Sequence, residues 1–203
     1  MKKCAVLHEP GDIVTLAGTR FVVLDVERRG SLPDSLFLLA LESVGASEFG
    51  SSNNYAESDL KKAVDKWLED MGKRGLDNAK LIPREIDLTT LDGSGCYGKL
   101  SVKAAPLTLD EAREYADIIP NAERWCWLAT GWSGPSKSDG DLALCVGSSG
   151  DWFSYGCSYS YGIRPALKAP SILFEDSEAG LDLSKIPTDD LLQEIHRRLA
   201  EKA

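Results

Sequence analysis

A chain of 203 residues fits one large domain, or a domain of about 170 residues carrying a tail. Its 43% hydrophobic and 27% charged residues are globular proportions and exclude a disordered chain. A net charge of −9 argues against nucleic-acid binding through a basic patch and against docking on anionic lipid.

The first residues, Met1-Lys2-Lys3-Cys4-Ala5-Val6-Leu7, open as a signal peptide would, but His8 and Glu9 end the apolar run too early for a secretory core. No stretch approaches the roughly 18 apolar residues of a membrane span. The five cysteines form an odd set without CxxC spacing. That pattern reads as reduced thiols in a cytoplasm, with no disulfide framework and no metal site.

Residues 12–27 predict an opening hairpin, with strands Ile13-Val14-Thr15-Leu16 and Phe21-Val22-Val23-Leu24-Asp25-Val26 joined by the turn Ala17-Gly18-Thr19-Arg20. The run Leu36-Phe37-Leu38-Leu39-Ala40-Leu41 suits a strand buried on both faces. Ser58 then caps the clearest helix. Leu60, Ala63, Val64, Trp67, Leu68 and Met71 share one stripe of it, and Gly72 is the expected stop. Residues 81–101 predict short strands and loops around Asp92-Gly93-Ser94-Gly95.

Thr108 and Glu111 form the capping box of a second helix, expected to run through Ala112, Tyr115, Ala116 and Ile119 to Pro120. Trp125-Cys126-Trp127-Leu128-Ala129-Thr130 and Asp141-Leu142-Ala143-Leu144-Cys145-Val146 then read as strands of an antiparallel meander with Gly/Ser turns. Trp125 and Trp127 alternate and share a face, which reads as core. Residues 170–186 form an acidic linker. Residues 187–203 predict a last helix capped by Thr188, with the stripe Leu191, Leu192, Ile195 and Leu199. That stripe either packs back on the domain or pairs with a second copy.

Three features carry a resemblance. They are Asn54-Tyr55-Ala56-Glu57-Ser58-Asp59-Leu60 leading into a helix with Trp67-Leu68, the strand Trp125-Cys126-Trp127-Leu128-Ala129-Thr130, and the closing Gly162-Ile163-Arg164-Pro165-Ala166-Leu167. Over residues 10–169 they resemble a domain family of unknown function from Gram-positive bacteria and their prophages. That family is similar to the C-type-lectin-like superfamily, which includes formylglycine-generating enzymes and the variable proteins of diversity-generating retroelements. The resemblance implies an α+β domain, with two helices packed on short antiparallel sheets, in the cytoplasm or a phage particle. Ala129 stands where many relatives carry arginine, so any salt bridge of that arginine is missing here.

In the closing motif, Gly162 permits close backbone approach and Pro165 holds Arg164 extended. Ile163, Ala166 and Leu167 suit a last strand paired with the first hairpin. Arg164, among core-like neighbours, reads as a buried, paired structural arginine rather than a ligand clamp.

The stretch Asp151-Trp152-Phe153-Ser154-Tyr155-Gly156-Cys157-Ser158-Tyr159-Ser160-Tyr161 lacks helical and clean strand periodicity and mixes Tyr, Ser and Gly as antibody loops do. Candidate ligand-binding residues are Asp151, Phe153, Ser154, Tyr155, Ser158 and Tyr159, with Trp132 as an exposed aromatic on the adjoining Gly131-Trp132-Ser133-Gly134-Pro135 loop. Trp127, Gly162, Arg164 and Pro165 are the structural motif. In the retroelement proteins the ligand-facing positions precede the closing motif; Trp152 lies outside their variable set and reads as scaffold. The alternative is a strand–turn–strand with its aromatics packed inward.

The leading expectation is non-catalytic recognition of a protein or glycan ligand by a domain of prophage origin. The runner-up is a structural or assembly protein that oligomerises through residues 188–202. A cysteine-dependent enzyme resembling the formylglycine-generating group comes third, with Cys145 and Cys157 the cysteines near the corresponding region and neither beside a group that would lower its pKa. Gly93-Ser94-Gly95 lacks the lysine and helix start of a phosphate loop, and no cofactor is expected.

Overall fold

The computed structural model describes residues 8–29 and 32–174, together with Leu192. The linker from residue 175 and the expected tail helix lie outside the described residues, apart from Leu192, which is exposed.

The chain opens on β1 (Ile13–Leu16) and β2 (Thr19–Arg29), joined tightly enough that Leu16 pairs with Thr19. Ala17 and Gly18 both take positive φ, 46° and 76°. That is the two-residue hairpin turn whose twist matches the strands, so Thr19 and Arg20 belong to β2 and not to the turn. β3 (Leu32–Ala40) follows on the other edge of β2. Leu36, Leu38, Leu39 and Ala40 are all buried, as expected for a strand covered on both faces.

β12 (Ala166–Pro170) pairs with β3, Ala166 opposite Leu39, and on its other side with β7 (Ala104–Ala105). The last strand therefore docks one strand beyond the first hairpin, because β3 already occupies the free edge of β2. The resulting sheet runs β1-β2-β3-β12-β7.

A second five-stranded sheet has the order β10-β9-β8-β11-β4. Its members are β4 (Ala46–Glu48), β8 (Cys126–Gly131), β9 (Leu142–Val146), β10 (Trp152–Gly156) and β11 (Ser160–Gly162). All its pairings are antiparallel except β8 with β11. β5 (Arg84–Asp87) and β6 (Lys99–Val102) form a separate hairpin.

α1 (Asp59–Lys73) is capped by the Ser58 hydroxyl, which accepts from Lys61 N at 2.9 Å, and buries Leu60, Val64, Trp67 and Met71. Just before it, the Asn54 side chain accepts from Ala56 N and Tyr55 drops fully into the core, which gives the Asn54-Tyr55 signature a structural purpose. The helix runs past Gly72 to Lys73, with Arg74 as its C-cap, and Gly75 is the glycine that closes it. Gly75 takes φ 100°, its N–H donates to Gly72 O, and Leu76 N donates to Met71 O, the paired bonds of a Schellman cap. α2 (Leu109–Glu114) starts on the Thr108–Glu111 capping box but stops well before Pro120. Ile118 and Ile119 N–H groups both turn back onto Tyr115 O, closing the chain into a turn.

Residues 8–29 and 32–174 thus form an α+β architecture, mostly antiparallel, with the helices α1 and α2. One core gathers Phe21, Leu36, Leu38, Val64, Trp67 and Trp127; a second gathers Val22, Leu24, Leu39, Leu107, Leu128 and Leu144 on the opposite faces of the same strands. After β12, Ser171–Phe174 form a 3-10 turn whose Leu173 and Phe174 pack on the first core, so the domain extends past residue 170 and these residues are not linker.

Candidate functional site

β9 and β10 pair with Phe153 opposite Cys145 and Tyr155 opposite Ala143. Alternation along the strands puts these side chains on the face of Trp127 and Ala129, whereas Trp152 and Ser154 point to the other face. Trp125, two residues before Trp127, lies on the same side as Phe153. β11 completes the arrangement by laying Gly162 beside Cys126 of β8.

Five rings therefore meet at the surface. Trp125 contacts Phe153 at 4.6 Å between ring centres, Tyr155 at 5.2 Å and Tyr161 at 6.0 Å. Tyr161 also touches Tyr155 at 5.4 Å and runs nearly parallel to Tyr159, 7° between planes at 6.2 Å. Beneath them Trp127, 1% exposed, contacts Tyr161 at 4.8 Å and Phe49 at 5.5 Å and donates Nε1–H to Ser47 O at 2.9 Å. The cluster is the core continued outward. Tyr159 is 56% and Phe153 41% exposed, while Trp125, Tyr155 and Tyr161 are half-buried.

The turn between β10 and β11 is pinned by Cys157, whose N–H donates to Asp141 O while its carbonyl accepts from Phe49 and Gly50 N–H. Beside the rings lies an open groove of about 360 Å³, bounded by Ala46, by Glu123, Arg124 and Trp125, and by Ser160, Tyr161 and Gly162. The Glu123 and Arg124 side chains are exposed at its rim.

Of the residues singled out from sequence, Phe153, Tyr155 and Tyr159 come together in the cluster, and Ser158 is exposed on the turn beside it. Asp151 is exposed at the start of β10 and its carboxylate accepts from Ser149 Oγ at 2.6 Å. Ser154 lies on the opposite face of the strand, away from the rings. Trp132 departs from the expectation of an exposed loop aromatic. It is half-buried against the second core, held there by its N–H to Leu142 O, and is no part of the cluster. Trp152 is 39% exposed on the far face, with the Arg113 guanidinium 5.3 Å from its ring centre.

The closing motif is tightly packed and hydrogen-bonded. A Cβ on Gly162 would lie 2.8 Å from Cys126 Sγ and from Ser43 Oγ, so only glycine fits. Pro165 O accepts from Ala40 N–H. Arg164, 7% exposed, donates Nε–H to Ala40 O at 3.0 Å and an Nη1–H to Pro120 O at 3.1 Å. Its partners are carbonyls, not a carboxylate, and burial lowers its pKa.

Cys126, Cys145 and Cys157 are buried and unpaired, and burial pushes their thiols up to about 11, about 12 and about 12. Such groups are neutral near pH 7, the wrong state for a nucleophile or metal ligand. Among the described residues no group of His, Cys, Asp and Glu is arranged to hold a metal ion, and no helix is long and apolar enough to cross a membrane.

Tyr161 lies inside the stretch singled out from sequence without being one of its named candidates, and the Glu123–Arg124 rim was not singled out. Trp125, read as core, packs half-buried against the first core while also joining the cluster. The Ser160-Tyr161 alternation was the available signal for Tyr161. Compared with protein-family models, curated proteins and solved structures, the chain gives no match in any of the three.

Proposed function

We propose that the protein is a non-catalytic recognition module of C-type-lectin-like fold, of prophage origin, that binds a protein or glycan ligand on the platform of Trp125, Phe153, Tyr155, Tyr159 and Tyr161. The fold reading draws support from β12, which closes the chain into the sheet of β1, β2 and β3 and leaves the β8–β11 region to form a separate sheet. The observation that carries the function is the contiguous aromatic cluster itself, reaching 56% exposure at Tyr159 while resting on a buried Trp127. Large apolar groups gathered at a surface mark contact sites more often than scattered ones do. Tyrosine supplies contact area with few rotatable bonds, and rings already wedged against each other lose little further freedom on binding.

The test is a screen of the full chain against a glycan array and a peptide array, followed by Phe153→Ser and Tyr159→Ala. Both substituted side chains are well exposed, so the fold is expected to persist. Affinity for any ligand found should fall on the order of tenfold or more in each variant. Silence on both arrays, or variants that bind as the parent does, would overturn the reading.

A further inference from the structure

Among the described residues β10 is the outer strand of its sheet, bonded to β9 alone. At its two ends Gly147 N–H donates to Asp151 O and Cys157 N–H to Asp141 O, each at 2.8 Å. Bonded and non-bonded pairs alternate in an antiparallel ladder, so Asp151, Phe153, Tyr155 and Cys157 turn their main-chain groups toward β9. Trp152, Ser154 and Gly156 turn theirs outward. Among the described residues only one of those outward groups is engaged, the Gly156 carbonyl, which accepts from Tyr159 N–H at 3.0 Å.

Proteins usually blunt such an edge with lysine, proline, a bulge or a very short strand. The opposite edge of this sheet, β4, has three residues and ends on Glu48. In the other sheet β7 has two residues, and β1 is contacted by the turn Ser171–Phe174. β10 is different: five residues, Trp-Phe-Ser-Tyr-Gly, without charge, proline or a break in register.

We infer that β10 is a pairing edge and that its occupant is β10 of a second copy of this chain. A two-fold axis through Ser154, perpendicular to the sheet, opposes Ser154 with its own image as a bonded pair and sets Trp152 against Gly156. The Gly156 N–H is free to donate to Trp152 O, and its carbonyl, already accepting from Tyr159 N–H, takes Trp152 N–H on its second lone pair. Phe153 then faces Tyr155 on the platform side, a cross-strand aromatic pair made twice. Trp152 comes over Gly156, where a Cβ would lie 3.5 Å from the Tyr159 ring, so the indole meets that ring. No charge meets its image in this register, which matters for a chain of net charge −9, whose charged surfaces repel their copies. Such a patch satisfies the self-complementarity that a two-fold interface demands. Pairing would set two aromatic platforms side by side on one face. The inference goes beyond the recognition reading and stands without it.

Sedimentation equilibrium of the full chain over a concentration series tests it, with a reversible dimer expected. Ser154→Pro deletes an outward N–H and leaves the β9 ladder intact, and Ser154→Lys brings a charge against its image. Each should weaken dimerisation on the order of tenfold or more. The Trp152 and Ser154 amides should exchange slowly with solvent in the dimer and fast in monomers on dilution, a readout that holds even if the proline variant misfolds. Leu192→Asp with Ile195→Asp in the tail should dimerise as the parent does. A chain monomeric at every concentration, a dimer that survives both Ser154 variants, one lost only in the tail variant, or unprotected Trp152 and Ser154 amides would each overturn the inference.

Discussion

Gly162 stands so close to Cys126 that a Cβ built on it would lie 2.8 Å from the cysteine sulfur. The cysteine is buried, and Ser43 Oγ crowds the same point at 2.8 Å. Gly162 N–H also donates to Trp125 O at 2.7 Å, so this contact sets where Tyr161 meets Trp125. Gly162→Ala is therefore expected to destabilise the fold by about 1–3 kcal/mol through overpacking. Urea unfolding measures it; a loss below about 0.5 kcal/mol would show that β11 can shift freely.

Arg164 joins the end of β3 to the segment after α2 through two carbonyls and makes no hydrogen bond to a carboxylate among the described residues. Lysine at this position would keep the buried charge while losing the planar fork that reaches both carbonyls. Arg164→Lys should thus cost about 3–5 kcal/mol, as an under-partnered buried charge does. Arg164→Met removes the charge and leaves carbonyls unpaired, for about 1–3 kcal/mol. The order is the diagnostic: a lysine variant more stable than the methionine variant contradicts the account.

What the sequence disclosed is mostly what local chemistry controls. The stripe from Leu60 to Met71, the Ser58 cap and the Thr108–Glu111 box all occur as spacing predicts, because each depends on residues a turn apart. Helix ends were less legible. Gly72 and Gly75 look alike in sequence, and only the positive φ of Gly75 distinguishes the stop. The apolar spacing past Glu114 continues a helical pattern that the turn onto Tyr115 O interrupts. For the platform, alternation predicts that Trp125 and Trp127 share a face, and both indeed touch Tyr161. That Tyr161 is the ring between them depends on the parallel pairing of β8 with β11, a contact remote in sequence. Trp132 misleads for the converse reason: its Gly/Ser/Pro neighbours read as open loop, whereas its backbone bond to Leu142 presses the ring inward.

The cysteines separate by exposure. Cys96 is exposed, whereas Cys126, Cys145 and Cys157 are buried with thiols raised to about 11 or about 12. Brief iodoacetamide treatment of the folded protein at pH 8 should modify Cys96 and spare Cys126, Cys145 and Cys157, since alkylation needs thiolate and access. Peptide mass mapping reads the pattern. Fast labelling of Cys145 or Cys157 would revive a cysteine-based mechanism.

Ala17 holds φ 46°, a left-handed conformation that costs a residue with a Cβ about 1–2 kcal/mol. Asparagine tolerates it and, followed by glycine, is the favoured pair for this turn. Ala17→Asn is expected to stabilise the chain by about 0.5–1 kcal/mol, or roughly 2–4 °C per kcal/mol in Tm for a chain of this size. A scanning calorimeter decides it, and an unchanged or lower Tm would mean that the packing of the Ala17 methyl outweighs its backbone strain.

Asp92 ties two loops together. Its carboxylate accepts from Lys137 Nζ at 2.5 Å, from Thr90 Oγ1 at 2.5 Å and from Ser94 N–H at 3.2 Å. These bonds, that of Lys137 foremost, hold its pKa down to about 2 against an ordinary 3.8. Because the folded value is the lower one, the contribution is fully present above the ordinary carboxylate range. It fades as pH falls from about 4 through about 2, where folded and unfolded states become equally protonated. Lys137→Gln should therefore raise the Asp92 titration toward 3.8 and flatten this part of the acid-stability curve, both followed by carboxyl NMR and by unfolding at pH 2–5. An Asp92 titration that ignores the substitution would place Lys137 in solvent rather than on the carboxylate, and would leave the loop containing Cys96 without this anchor to the Gly134–Lys137 turn.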